Sequence, residues 1–88
     1  MFKIKVRIFG AFRKYFEAPT LEITLEEQVT VSSFKQIFQK NLKALNCNFN
    51  EDKLVEESAI ASEDEILTDN FIINQIMNLA ILPPVCGG

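Results

Sequence analysis

Polar and apolar residues alternate without a break from Phe2 to Ile8. Phe2, Ile4, Val6 and Ile8 share one face, and Lys3, Lys5 and Arg7 share the other. A period of two is that of a half-buried β-strand. By parity Phe9 falls on the polar face, an exposed aromatic if the strand runs on; if the strand ends at Ile8, Phe9 folds under. From Gly10 to Phe16 the spacing of Phe12, Tyr15 and Phe16 becomes helical for a turn or two, and Pro19 ends it. Leu21, Ile23 and Leu25 alternate with Glu22 and Thr24, which predicts a second strand in a hairpin with the first. After a polar turn at Glu26-Glu27-Gln28, Ser32 or Ser33 can cap the next helix. Its apolar stripe is Phe34, Ile37, Phe38, Leu42 and Leu45, with Lys35, Gln36, Gln39, Lys40 and Lys43 on the other side. Such a helix of roughly three to four turns packs its stripe on a sheet.

The second half is less regular. Residues 46–52 have the composition of a loop. Leu54-Val55, Ala59-Ile60-Ala61 and Ile66-Leu67 read as short strands broken by acids, with Ser62-Glu63-Asp64-Glu65 as a turn. Phe71 to Asn78 is unusually apolar for a surface connection. The last strand, Leu79-Ala80-Ile81-Leu82, suits a central place beside the first. The order predicts an α+β fold, a mixed sheet with one main helix packed across one face. The lysine-bearing face of the first strand then stays open, along with Phe9 and whichever of Ala80 and Leu82 point that way.

Length and composition narrow the function. A chain of 88 residues, 48% of them apolar, forms one domain, residues 1–88, and buries about 60–65% of its unfolded surface. Cys47 and Cys86 do not make a disulfide framework, so reduced thiols and a cytoplasmic location are expected. Neither a secretory signal nor a membrane span is visible. A net charge of −3 gives no basic footprint for nucleic acid. There is no histidine, so there is no imidazole base or imidazole metal ligand, and two cysteines cannot complete a structural zinc site. Glu56-Glu57 and Glu63-Asp64-Glu65 match no calcium loop and read as solvated surface. With no glycine-rich phosphate loop, any ATP must be bound by a partner.

One motif carries chemistry: Pro83-Pro84-Val85-Cys86-Gly87-Gly88. Proline lacks an N–H and fixes φ, so Pro83-Pro84 cannot extend a strand ladder and should leave the domain as a stiff stalk. Gly87 and Gly88 have no Cβ, which makes the tip thin enough for a narrow channel. Both pairs at fixed places arise by chance in roughly one chain in 10^5. Residues 83–88 are therefore read as a protruding tail that offers the carboxylate of Gly88 to another protein. Cys86 stands beside that acyl group, and an exposed thiol need not be activated.

With these residues in view, the chain resembles the small sulfur-carrier subunit of molybdopterin synthase, a family of ubiquitin-like β-grasp proteins that also includes the thiazole-pathway sulfur carrier. The likeness rests on Lys5-Val6-Arg7-Ile8-Phe9 in the opening strand and on Leu79 to Gly88, an apolar strand followed by Pro-Pro-Val-x-Gly-Gly. It departs before the last strand, where an acidic Asp-Gly-Asp-Glu type turn is replaced by Gln75-Ile76-Met77-Asn78. The resemblance implies that an E1-like adenylating enzyme uses ATP to activate the Gly88 carboxylate. A sulfur-donating persulfide protein then converts it to a thiocarboxylate. The tail, Pro83 to Gly88, next enters the large subunit of molybdopterin synthase, in a complex such as a heterotetramer, and donates sulfur to a cyclic pyranopterin. Phe9, Ile66 and Leu82 match partner-contact positions, and Cys86 stands where the family varies, beside the acyl group, where its thiol could capture the adenylate or relay sulfur. The chain itself is implied to bind no cofactor or metal and to have no catalytic machinery of its own. Other readings are a carrier for thiazole or tungsten-cofactor assembly, a ubiquitin-like protein modifier, and a plain interaction module.

Overall fold

The computed structural model describes residues 1–50 and 52–84. Strand β1 (Phe2–Ile8) and strand β2 (Thr20–Leu25) pair antiparallel, with Val6 opposite Leu21 and Ile4 opposite Ile23. The turn between them holds a short 3-10 helix, Gly10–Lys14, and closes where the Ile8 N–H donates to the Pro19 carbonyl. A two-residue strand β3 (Val29–Thr30) leads into helix α1 (Val31–Leu45). Helix α2 (Asp52–Glu57) follows, then β4 (Ala59–Ala61), β5 (Ile66–Leu67), β6 (Ile72–Ile73) and β7 (Met77–Leu82).

The main sheet runs β2-β1-β7-β4-β5, with β7 parallel to β1; β3 and β6 form a separate antiparallel pair. The final strand is thus central and beside the first, as its apolar run predicts. Alternation sends Ile4, Val6, Ile8, Leu21, Ile23, Leu25, Leu79 and Ile81 inward, where they meet Phe34, Phe38 and Leu42 of α1 in one core. Edge-to-face and stacked contacts join Phe38, Phe12 and Phe34, with ring centres 6.1–6.3 Å apart.

Several elements differ from the sequence expectation. The helix begins at Val31, so its cap is Thr30 rather than Ser32 or Ser33; the Thr30 hydroxyl accepts from the Ser33 N–H at 3.2 Å. The fork in the sequence arises because Thr30, Ser32 and Ser33 are all good caps, and pairing of β3 with β6 selects the first. Leu54-Val55 is helical, not a strand. Two adjacent apolar residues fit either period, and here the Ser58 N–H and hydroxyl fold back onto the carbonyls of Val55 and Leu54. Ile72-Ile73 forms a strand inside the stretch read as a connection, which accounts for its apolar character: Ile73 is buried in the core. Strand β7 also begins two residues before Leu79. Leu45 is 62% exposed at the last helical residue, where the stripe has outrun the core. Phe49, in the stretch read as loop, is fully buried and stacks on Phe12.

Candidate functional site: the outer sheet face and the root of the tail

The helix covers one face of the main sheet, so the other face carries the alternate residues. Cross-strand register sets them in rows. One row runs Thr20, Arg7, Ala80, Ala61, Ile66; another runs Glu22, Lys5, Asn78. Leu82 pairs with Ala59 at the end of β7. Phe9 has φ −138° and ψ 164°, an extended conformation, so the alternation continues one residue past β1. Phe9 is accordingly exposed, which decides between its two readings from sequence. It borders a groove of about 450 Å³ with Arg7, Lys5 and Ala80.

Phe9, Leu82 and Ile66 therefore belong to one face. They are not one cluster: Ile66, 65% exposed, stands on the edge strand, separated from β1 by β7 and β4. Small residues between them (Ala59, Ala61 and Ala80) keep that half of the face low and apolar, whereas β1 contributes Lys3, Lys5 and Arg7. Lys3 makes an ion pair with Glu22 at 3.6 Å.

The tail starts where this face ends. Gly10 has φ 59°, a left-handed conformation that L side chains rarely adopt, and it reverses the chain immediately after Phe9. A Cβ at Gly10 would lie 2.8 Å from Cγ of Pro83. The missing side chain thus makes a seat for the first proline after β7. Pro83 and Pro84 are both half-buried, so the stalk is braced on the domain at its base instead of leaving it at once. Sequence reasoning missed Gly10; a lone glycine at the end of a strand was the available signal. Val85, Cys86, Gly87 and Gly88 lie outside the described residues.

The other candidate groups are dispersed. Glu56-Glu57 end α2, and Glu63, Asp64 and Glu65 are exposed in a turn whose Glu65 and Asp64 N–H groups donate to the Ser62 hydroxyl. Among the described residues, no group of three or more Cys, Asp or Glu side chains could hold a metal ion. Cys47 is an exposed free thiol. No helix among the described residues is long and apolar enough to cross a membrane.

The sequence profile of the ThiS family matches residues 6–88. The chain belongs to the ThiS family. This is a family of ubiquitin-like sulfur carriers, and the mixed sheet with one main helix is its β-grasp fold. No curated relative matches the sequence. Solved structures similar to this ThiS-family chain include small archaeal modifier protein 1 of Haloferax volcanii, with TM-score 0.69, 18% identity, and coverage of 98% of this chain and 99% of that one. A protein of Pyrococcus furiosus, proposed as molybdopterin converting factor subunit 1, has TM-score 0.66 and 20% identity over 97% and 100% of the two chains. A chain in the complex of subunits 1 and 2 of molybdopterin-converting factor from Helicobacter pylori has TM-score 0.57 and 22% identity over 98% and 99%. At these identities the likenesses speak for the fold.

Proposed function

We propose that this ThiS-family chain is a cytoplasmic sulfur carrier in molybdenum cofactor assembly, with the carboxyl of Gly88 as the carrying group. The observation that carries the reading is the motif Pro83-Pro84-Val85-Cys86-Gly87-Gly88, which starts from a braced position at the end of the central strand. A carboxylate is a poor electrophile because its charge is delocalised. An E1-like enzyme transfers AMP to it from ATP with release of pyrophosphate, which supplies a leaving group. The terminal sulfur of a persulfide attacks the acyl carbon and AMP departs. A second thiol then attacks the persulfide's own S–S bond, forming a disulfide with the donor sulfur and leaving the thiocarboxylate. Tethering that nucleophile on a slim tail raises its effective concentration inside the large subunit of molybdopterin synthase, where a cyclic pyranopterin accepts the sulfur. Phe9, Leu82 and Ile66 are the proposed contacts for these partners, and Cys86 is available to relay sulfur. The proposed large-subunit partner draws on the fold shared with subunit 1 proteins of molybdopterin converting factors.

The likeness to small archaeal modifier protein 1 favours a second reading, in which Gly88 forms isopeptide bonds with protein lysines. Intact mass spectrometry of the chain from its native host separates the two. A species heavier by one oxygen-to-sulfur exchange at Gly88, lost on deletion of Gly87 and Gly88, supports the carrier. Lysine conjugates without that species support the modifier, and neither product would sink both.

A further inference from the structure

The tail end is not the whole of the open sheet face. The chain has 12 acidic and 9 basic residues, yet the outward side chains of β1 are all basic. Lys3 has its partner in Glu22. Lys5 and Arg7 make no ion pair among the described residues. Arg7 has Thr20 and Ala80 as its row neighbours, so no carboxylate answers it across the strands. One carboxylate, Glu63, borders the groove they share. Lys5 does face Glu22 across the strands, but that carboxylate already pairs with Lys3. The three cations of β1 thus outnumber Glu22 and Glu63, the two carboxylates that border its grooves, and leave a local positive excess on a net-negative domain, which steers an acidic partner.

The same face is apolar again at the end remote from the tail. Ile76, with the parity of Asn78 and Ala80, is 74% exposed. With Met1, Phe2, Lys3, Lys5 and Glu22 it borders a second cleft of about 450 Å³. Ile76 sits in the very stretch where the sequence departs from an acidic turn.

Size argues that both ends are used. With strands of 6, 7, 6, 3 and 2 residues in sheet order, a spacing of about 4.8 Å and a rise of about 3.3 Å per residue give the face a footprint of roughly 380 Å². That is about half of the ~800 Å² that each side of a stable interface buries. A partner gripping the Phe9–Leu82 end alone would hold less than half of even this face.

We infer that the full outer face docks the protein that takes up the tail, and that this partner presents carboxylates over Lys5 and Arg7 and an apolar side chain to the Met1–Ile76 cleft. The inference rests on the sulfur-carrier reading for the identity of the partner, the large synthase subunit. Two apolar anchors with a cationic centre between them fix the position of the partner along β1 and so the point at which the tail enters it.

The test measures association of the full chain with the purified large subunit of the same host at about 50 and 300 mM salt. Wild type should associate more slowly at high salt. Lys5→Glu/Arg7→Glu should slow association at low salt at least about tenfold and flatten the salt dependence. Ile76→Ser should speed dissociation severalfold and leave the salt dependence intact. These side chains are exposed, and unchanged thermal melts of the variants exclude misfolding. If wild type binds and the double charge variant matches its rate within threefold at both salts, the inference is wrong and the sulfur-carrier reading stands. If Ile76→Ser leaves dissociation unchanged, the remote anchor falls. If wild type does not bind the large subunit at all, both readings fall together.

Discussion

Gly10→Ala tests whether the root of the tail is a built seat. Two costs arise from one methyl group. The left-handed φ of 59° disfavours a residue with a Cβ by about 1–2 kcal/mol. The new Cβ would also stand 2.8 Å from Cγ of Pro83, where ordinary contact begins at 3.4 Å. A proline ring cannot rotate away, so either the ring or the Gly10 turn must withdraw by roughly half an ångström, an overpacking cost of about 1–3 kcal/mol. The sum, about 2–5 kcal/mol, is a large share of the ~4–13 kcal/mol expected for a domain of this length. At about 4–8 °C per kcal/mol, the melting midpoint followed by circular dichroism should fall by roughly 8–40 °C. Gly10→Asn separates the contributions, since asparagine tolerates the left-handed region but still carries the Cβ. Adding Pro83→Ala to Gly10→Ala removes the colliding Cγ and should recover about 1–2 kcal/mol as a coupling in the double-mutant cycle. A Gly10→Ala domain less than 0.5 kcal/mol below wild type, or a cycle with no coupling, would refute the seat.

Phe38→Ala should remove about 3–5 kcal/mol, because its buried ring meets both Phe12 and Phe34; chemical denaturation with unchanged slope checks this. Asn46→Ala should lower stability by about 1–2 kcal/mol, since its amide donates to the Tyr15 carbonyl at 3.0 Å and its side-chain oxygen accepts from the Asn48 N–H at 2.9 Å. Amide exchange in 46–49 should accelerate more than in β1, and equal acceleration would refute a local role.

What could be read from sequence follows from how much information each residue carried. In β1 and β2 every second residue votes for the same face, and both strands came out with the expected hairpin. The central place of β7 was legible because an unbroken apolar run suits a strand with neighbours on both sides. Between 46 and 78 the elements are two to six residues long, too short for periodicity to accumulate. There the outcome was set by single long-range contacts such as Phe49 on Phe12, which one sequence does not display. The same holds for β3 and β6, which pair with each other while Ile73 fills the core and the Val31 N–H donates to the Phe71 carbonyl at 2.9 Å.

The candidate site divides along the same line. The tail motif is chemistry written in consecutive residues, so it was visible at once. The face behind it is assembled from residues far apart in the chain. Ile66 and Arg7 come into one row only because β4 and β7 intervene with alanines at Ala61 and Ala80. A large side chain at either alanine would raise a ridge between the apolar edge and the basic strand. Such a ridge would keep one partner surface from meeting both halves at once. In the proposed docking, small residues at these two positions would do what Gly10 does for Pro83: leave room for another chain segment.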